Sequence, residues 1–379
     1  MSGGVDSSVV AALLSSEGGS ASGGKKKKYE VIGAHMKCFN VDGCAAHDAE
    51  DARKAAEVLG IPFYIFDFEK EYKKKVVEYM VDGYRKGITP NPDVMCNKEI
   101  KFGLFLKKAL KLGADYVATG HYVRLCSAYL PTGTAPLSGA TSRSCRTAKK
   151  QSSYYSLFIA KDKNKDQSYF LWTLTQNQLK HCLFPLGDIT KPKVRKLARK
   201  FNLPNADKKD SQGICFLGQV DLKDFLKKYI PEKKGLVLDT SGKIVGEHRG
   251  AWFYTIGQRS GMGLGGGKKP RYIAEKDVKE NALLVAEEGE EILTRKEVEL
   301  KNVNLIDGES GIRNKELKIP VMVRVRYRQP LFPALFIINN SLFKLVFKKP
   351  VKFVASGQSA VFYQMCSGGL RMLGGGVIV

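Results

Sequence analysis

Two cysteines stand in loop-like stretches: Cys96 in TPNPDVMCNKEIKFG (89–103) and Cys215 in KKDSQGICFLG (208–218). A cysteine thiolate can attack an electrophile, carry a transferable sulfur, or exchange with a disulfide. Asp93 precedes Cys96 by three residues in a loop stiffened by Pro90 and Pro92, where it could act as an acid/base partner; an Asn-Pro-Asp triplet is also an ordinary turn. The other six of the eight cysteines form no C-x-x-C pair, so neither a zinc ribbon nor a dithiol redox motif is indicated, and they read as small core residues.

At the start of the chain, Ser2-Gly3-Gly4-Val5-Asp6-Ser7-Ser8 runs directly into the apolar segment 9–14. Two glycines let the backbone approach an anion, and a helix N-terminus supplies free N–H groups and a favourable dipole. Ser7 and Ser8 add hydroxyls, and Asp6 could hold Mg²⁺ beside bound phosphates. No Gly-Lys-Ser/Thr follows, so this is not a Walker A loop; the plain alternative is a Gly-Ser turn. The string resembles the pyrophosphate-binding loop of N-type ATP pyrophosphatases. That resemblance implies adenylation of a carbonyl oxygen by ATP and leaves the acceptor open.

These groups need a frame. Residues 9–14 suit a helix and 29–36 a buried strand. Ala49, Ala52, Ala55, Ala56 and Leu59 fall at helical spacing until Gly60 and Pro62 end the run. Segment 61–68 reads as the next strand, Tyr72, Val76, Tyr79 and Met80 as one amphipathic helix, Phe102, Phe105, Leu106 and Ala109 as another, and 116–122 as a further strand. This alternation predicts a parallel sheet covered on both faces. The low-complexity stretch 15–28 reads as a mobile loop and 126–156 as an insertion. After about residue 220 short strands and turns take over. From about residue 290, VMVRVRYR, ALFII, KLVF, VKFVA and SAVFY predict a small barrel, with 331–347 as two strands around an Asn-Asn turn. The expected class is α/β: a parallel-sheet domain over 1–220, a small β-rich domain over 221–288 and a C-terminal β-barrel over 289–379.

Of the 379 residues, 62 are Lys or Arg and 38 Asp or Glu, a formal +24. Such an excess favours polyanionic partners, since phosphate contacts release condensed counterions; solubilising lysines are the alternative. An apolar fraction of 43% is ordinary for a globular chain, no apolar run approaches a membrane span, and no secretory segment is evident, so a reducing intracellular compartment is expected.

The two cysteine motifs, with KDQSYFLW at 165–172 and TIGQRSGMGLGG at 255–266, resemble tRNA-specific 2-thiouridylases from Ser2 to the last residues, interrupted mainly by 15–28, 126–160 and 330–345. The resemblance implies ATP-dependent replacement of the wobble-uridine C2 oxygen by sulfur. It makes Cys215 the persulfide carrier, Cys96 the nucleophile, and a Cys96–Cys215 disulfide the product to be reduced. It implies nucleotide contacts by Ser2, Gly3, Gly4, Asp6, Ser7, Ser8, Met36 and Gly120. It further implies tRNA contacts by Asn91, Pro92, Asp93, His121, Lys165, Asp166, Gln167, Arg326, Tyr327 and Gln358. The implied partners are tRNAs of the Lys, Glu and Gln type and a sulfur-donor protein fed by a cysteine desulfurase, with ATP and Mg²⁺ as cofactors and no membrane. Family members carry a hydrophobic strand immediately before the SGGVDSS loop; this chain begins at Met1, so a truncated chain lacking the first, central strand is expected. Low-complexity insertions point to a eukaryotic source, where the family works in mitochondria or plastids; a bacterial member is cytoplasmic. Two rivals remain: another ATP pyrophosphatase, which would not need both cysteines, and a non-catalytic RNA-binding protein, which would not exchange pyrophosphate.

Overall fold

The computed structural model describes residues 1–16, 29–39, 41, 43–129, 153–210, 213–214, 216–218, 220–262, 269–306, 317–339 and 342–379. Helix α1 (Val5–Ser15) packs against α2 (Cys44–Leu59), which covers β1 (Gly33–Lys37); β1 pairs in parallel with β2 (Phe63–Asp67). Ala52, Ala55 and Ala56 are buried on the inner face of α2, where a methyl group allows close approach. Gly60 ends the helix in the left-handed region (φ 62°), its N–H closing on the carbonyls of Ala56 and Glu57, as a glycine after a last helical turn does.

A second parallel pair, β3 (Val117–Ala118), lies against a strand at Cys182–Leu183 that we number β6 below. Among the described residues the parallel sheet is therefore present as two separate two-stranded pieces. The strand expected over 116–122 covers only Val117–Ala118, and Gly120 beyond it presses onto the start of α1, where an added Cβ would lie 3.0 Å from Asp6 Cβ. Met1 runs beside β1: its amino group donates to the Ala34 carbonyl, and its own carbonyl lies 3.0 Å from His35 Nδ1.

Two helical stretches, 69–85 and 92–111, cross this region, and each contains a π-helical section, Lys73–Val77 and Cys96–Phe105. Tyr72, Val76, Met80 and Tyr84 form the buried stripe of the first. The predicted insertion begins and ends as structure: β4 (Val123–Tyr129) and β5 (Ser153–Ile159) form an antiparallel hairpin, followed by β6 (Cys182–Leu183). Its interior, like most of the stretch 15–28, lies outside the described residues.

The small domain is one four-stranded sheet of β7 (Gly235–Asp239), β8 (Ile244–His248), β9 (Arg271–Asp277) and β10 (Ala282–Glu287) in the order 8-7-10-9. The barrel strands are β11 (Thr294–Leu305), β12 (Leu317–Arg324), β13 (Phe332–Asn339), β14 (Leu342–Lys352), β15 (Ser359–Cys366) and β16 (Gly369–Ile378). Their order 11-14-13-12-15-16 is closed by pairing of β11 with β16. VKFVA is not a strand of its own: β14 ends at Lys352, and Phe353 turns the chain at φ 61°. The β4–β5 hairpin extends the barrel sheet, Phe158 pairing with Arg371 and Leu157 with Met372.

The three parts share cores. Tyr72, Met80 and Cys96 pack in one cluster with Val237, Ile273 and Leu283 of the small domain. Phe102, Tyr169 and Trp172 pack in another with Val361, Tyr363 and Met372 of the barrel. Among the described residues no helix is long and apolar enough to cross a membrane.

Candidate functional site

The SGGVDSS loop forms as a turn into α1. Gly3 takes φ 72° and lies against the Asp48 backbone of α2, so only glycine fits. Gly4 caps the helix without a side-chain hydrogen bond, leaving the first-turn amides for an anion. Ser7 Oγ accepts from Ser2 N at 3.0 Å and donates to the Gly4 carbonyl at 3.1 Å, which holds the loop closed. Ser8 is fully buried and bonded to the Gly4 carbonyl and Asn205 Nδ2, so its hydroxyl faces the protein rather than a ligand.

Asp6 is more engaged than a free metal ligand would be. Its carboxylate accepts from Lys191 Nζ at 2.7 and 2.8 Å and from the Tyr122 hydroxyl at 2.7 Å. Lys191, only 9% exposed, also pairs with Asp210 at 2.9 Å, and Asp210 in turn takes Lys165 at 2.6 Å and Arg195 at 2.7 Å. Burial opposes ionisation of Asp210, but hydrogen bonds and charge from Lys165 and Lys191 outweigh it and bring its carboxyl down to about 2. Among the described residues no group of three His, Cys, Asp or Glu side chains could hold a metal ion. With the Asp6 oxygens taken by Lys191 and Tyr122, these residues alone do not make a Mg²⁺ site. Gly120 borders this centre and Met36 sits half-buried near the end of β1, packed against the Cys96 cluster.

Cys96 lies at the other centre as a free thiol, 4% exposed. Asn91 starts its helical segment, Oδ1 accepting from Val94 N at 3.2 Å, and Pro92 occupies the first turn, where a missing N–H costs nothing. Burial pushes the Cys96 thiol up; Lys101 and the Tyr72 hydroxyl pull it back, and Asp93 adds to the rise. Cys215 lies outside the described residues, but its neighbour Phe216 stacks edge-on against Tyr72 at 5.8 Å within the same cluster as Cys96.

The barrel reaches directly to this loop. Gln358 Nε2 donates to the carbonyls of Thr89 at 2.9 Å and Pro90 at 3.2 Å, and Thr89 N donates to the Ser356 carbonyl at 2.8 Å. Arg326 is mostly buried and donates to the Ile256 carbonyl at 3.0 Å. Tyr327 packs on Phe170 with centroids 4.4 Å apart and the rings tilted by 50°, and it lies under Arg328.

Several residues expected to touch tRNA face inward in this conformation. Asp166 is buried, accepts from Ala160 N and Ser168, and pairs with Arg324 at 3.2 Å. Gln167 Oε1 accepts from Tyr122 N at 3.0 Å. His121 sits between Phe102 and Phe184, with Thr119 Oγ1 2.8 Å from Nδ1; burial first, then the Lys101 charge, hold it well below its usual range and therefore neutral. Lys191, Arg195 and Asp210 escaped the sequence reading. The clue available was TKPKVRK, a helix start whose first lysine is followed by proline, but nothing local says where that lysine points.

Comparison with known proteins covers nearly the whole chain. Residues 1–219 match the family described as tRNA methyl transferase HUP domain, 223–287 its PRC-barrel domain, and 295–378 the aminomethyltransferase beta-barrel domain. The chain is 41% identical over 371 positions to tRNA-specific 2-thiouridylase MnmA 1 of Geobacillus kaustophilus, covering 96% of this chain and 90% of the relative. It is also 41% identical over 386 positions to tRNA-specific 2-thiouridylase MnmA of Bacillus cytotoxicus, covering 100% and 93%. The corresponding protein of Bacillus anthracis is 40% identical over the same span.

Proposed function

From the premise that the chain belongs to the tRNA-specific 2-thiouridylase family, we propose that it is a tRNA sulfurtransferase that replaces the C2 oxygen of the wobble uridine with sulfur. The full-length likeness to named 2-thiouridylases carries this reading, and the buried free thiol of Cys96 in the loop clasped by the barrel supports its chemistry.

The uridine C2 oxygen is a poor leaving group. ATP supplies the activation: the oxygen takes the α-phosphoryl group and pyrophosphate leaves toward the uncapped amides of α1, with Ser2, Gly3, Gly4, Asp6, Ser7 and Ser8 forming or bracing the loop. Met36 and Gly120 border the nucleotide; any Mg²⁺ arrives with the phosphates. Cys215 holds the incoming sulfur as a persulfide received from a donor protein. Attack of the Cys96 thiolate on Cys215 forms the Cys96–Cys215 disulfide and releases hydrosulfide, which adds at C2 and expels AMP. The sulfane sulfur is reduced as the two thiols are oxidised, and a dithiol reductant restores them. Asp93 orients or protonates the base. The division of labour follows the expected domains: chemistry in 1–220, a spacer in 221–288, and tRNA contacts in 289–379, aided by Asn91, Pro92 and Lys165, while His121, Asp166 and Gln167 brace the fold behind them. Arg326, tied to the Ile256 carbonyl, and Tyr327, packed on Phe170, shape the barrel face toward the RNA rather than offering a free cation and ring, and an anticodon base must be splayed out for C2 chemistry.

The test is nucleoside mass spectrometry of tRNA incubated with protein, ATP, Mg²⁺ and a sulfur donor. 2-Thiouridine should form with wild type and with neither Cys96→Ser nor Cys215→Ser. Cys96→Ser should still accept labelled sulfur on Cys215, whereas Cys215→Ser should accept none. Label accumulating on Cys96 in Cys215→Ser would reverse the roles, and thiolation at the wild-type rate by either variant would end the mechanism.

A further inference from the structure

Cys96 opens a ten-residue π-helical section, Cys96–Phe105, whose hydrogen bonds run from residue i+5 back to residue i. In an α-helix, residue i+5 lies about 140° round the axis from residue i, on the far side. The π register brings i+5 back over i, so the side chain five places on shares the face of the first. Five places after Cys96 stands Lys101. Gly103 permits this winding: a Cβ there would lie 2.7 Å from the Lys98 carbonyl oxygen, itself an i+5 neighbour.

Two buried groups on different elements register the result. The Lys101 charge favours the ionised Cys96 thiol and disfavours protonation of His121. Lys101 is half-buried on this winding, and its charge acts on both the thiol and the loop after β3. Among the described residues, the other titratable groups at the thiol are Asp93 on the same segment and Tyr72 from the preceding helix; Cys38, just after β1, packs against the same cluster.

We propose that Lys101 is a positioning residue for the sulfur-transfer step: the π-helical winding lays its ammonium along Cys96 so that a thiol buried among apolar side chains can act as a thiolate. This deepens the proposed function, since Cys96 is the nucleophile that opens the persulfide. It also gives the π section a role, because ordinary α winding would carry Lys101 away. Burial alone suppresses thiolates, and an opposed charge within a few ångströms restores them.

The experiment is the pH dependence of Cys96 alkylation by iodoacetamide, read by peptide mass in the full chain without tRNA, ATP or donor. Lys101→Met keeps the aliphatic stem and removes the charge. It should move the alkylation profile up by about one pH unit, slowing the reaction roughly tenfold at neutral pH. Lys101→Arg should stay close to wild type. 2-Thiouridine formation by Lys101→Met should fall in kcat, with tRNA KM unchanged, and recover as pH is raised. An alkylation profile for Lys101→Met that coincides with wild type overturns the proposal, as does loss of activity in Lys101→Arg equal to that in Lys101→Met. The alkylation needs no tRNA chemistry, so a wild-type protein that fails to thiolate tRNA would defeat the proposed function while leaving the Lys101 result readable by itself.

Discussion

Lys191 balances two carboxylates from distant parts of the chain, Asp6 at the head of α1 and Asp210 on the stretch leading to Cys215. A charged hydrogen bond lost from a mostly buried site leaves its partners unpaired, at a cost of about 1–3 kcal/mol. Lys191→Met should lower unfolding free energy in urea by that amount at pH 7, and Lys191→Arg by less. Asp210 adds a pH signature. Its carboxyl is held at about 2 in the folded chain against an ordinary value of 3.8, so its stabilisation is complete above pH 4 and disappears as pH falls through 2. Asp210→Asn should therefore flatten the fall in Tm between pH 4 and pH 2; an unchanged acid limb would remove Asp210 from the network. No pattern in the sequence could pair these residues. Asp6 and Lys191 are 185 positions apart, and the phosphate-loop motif announces its glycines and hydroxyls but not the cation parked beside its carboxylate.

At the scale of elements, features set by local sequence are legible in it. The alanine spacing of α2, its glycine stop, and the two strands around Asn339 and Asn340 follow from periodicity and turn chemistry within a few residues of each position. Features set by partners elsewhere were not legible: the truncation of β3, the joining of the β4–β5 hairpin to the barrel, and the π winding after Cys96. The glycine run of β16 belongs with these. Three glycines weaken an isolated strand, yet here the strand is paired on both edges and crossed by Trp172, whose Cγ would lie 2.7 Å from a Cβ on Gly375. Trp172 cannot retreat freely, since its Nε1 donates to Ser359 Oγ at 3.0 Å. Gly375→Ala should destabilise the protein by about 1–3 kcal/mol through overpacking, measured by thermal or urea unfolding. A neutral result would mean that Trp172 repacks at little cost.

For the whole molecule, the contact that matters most is the barrel's hold on the Cys96 loop. Gln358, whose resemblance-based role was a tRNA contact, spends its amide N–H groups on the carbonyls of Thr89 and Pro90. Gln358→Leu keeps the bulk and removes both bonds. It should lower kcat for thiolation about tenfold, with the larger part of the loss in kcat rather than in tRNA affinity by filter binding. A loss confined to affinity would return Gln358 to a purely RNA-contacting role. The same architecture has a consequence for the making of the protein. Phe158 pairs with Arg371, 213 residues later, and Thr89 with the 356–358 turn, later still in relative terms. At about 5–20 residues per second of ribosomal synthesis, the β4–β5 hairpin waits roughly 10–40 s for its neighbouring strand. Throughout that interval it presents an open edge, and the loop bearing Cys96 has no clasp. The nascent chain is thus most prone to aggregation, and most in need of chaperone cover, during synthesis of the barrel, and it becomes a competent enzyme only after β16 has left the ribosome.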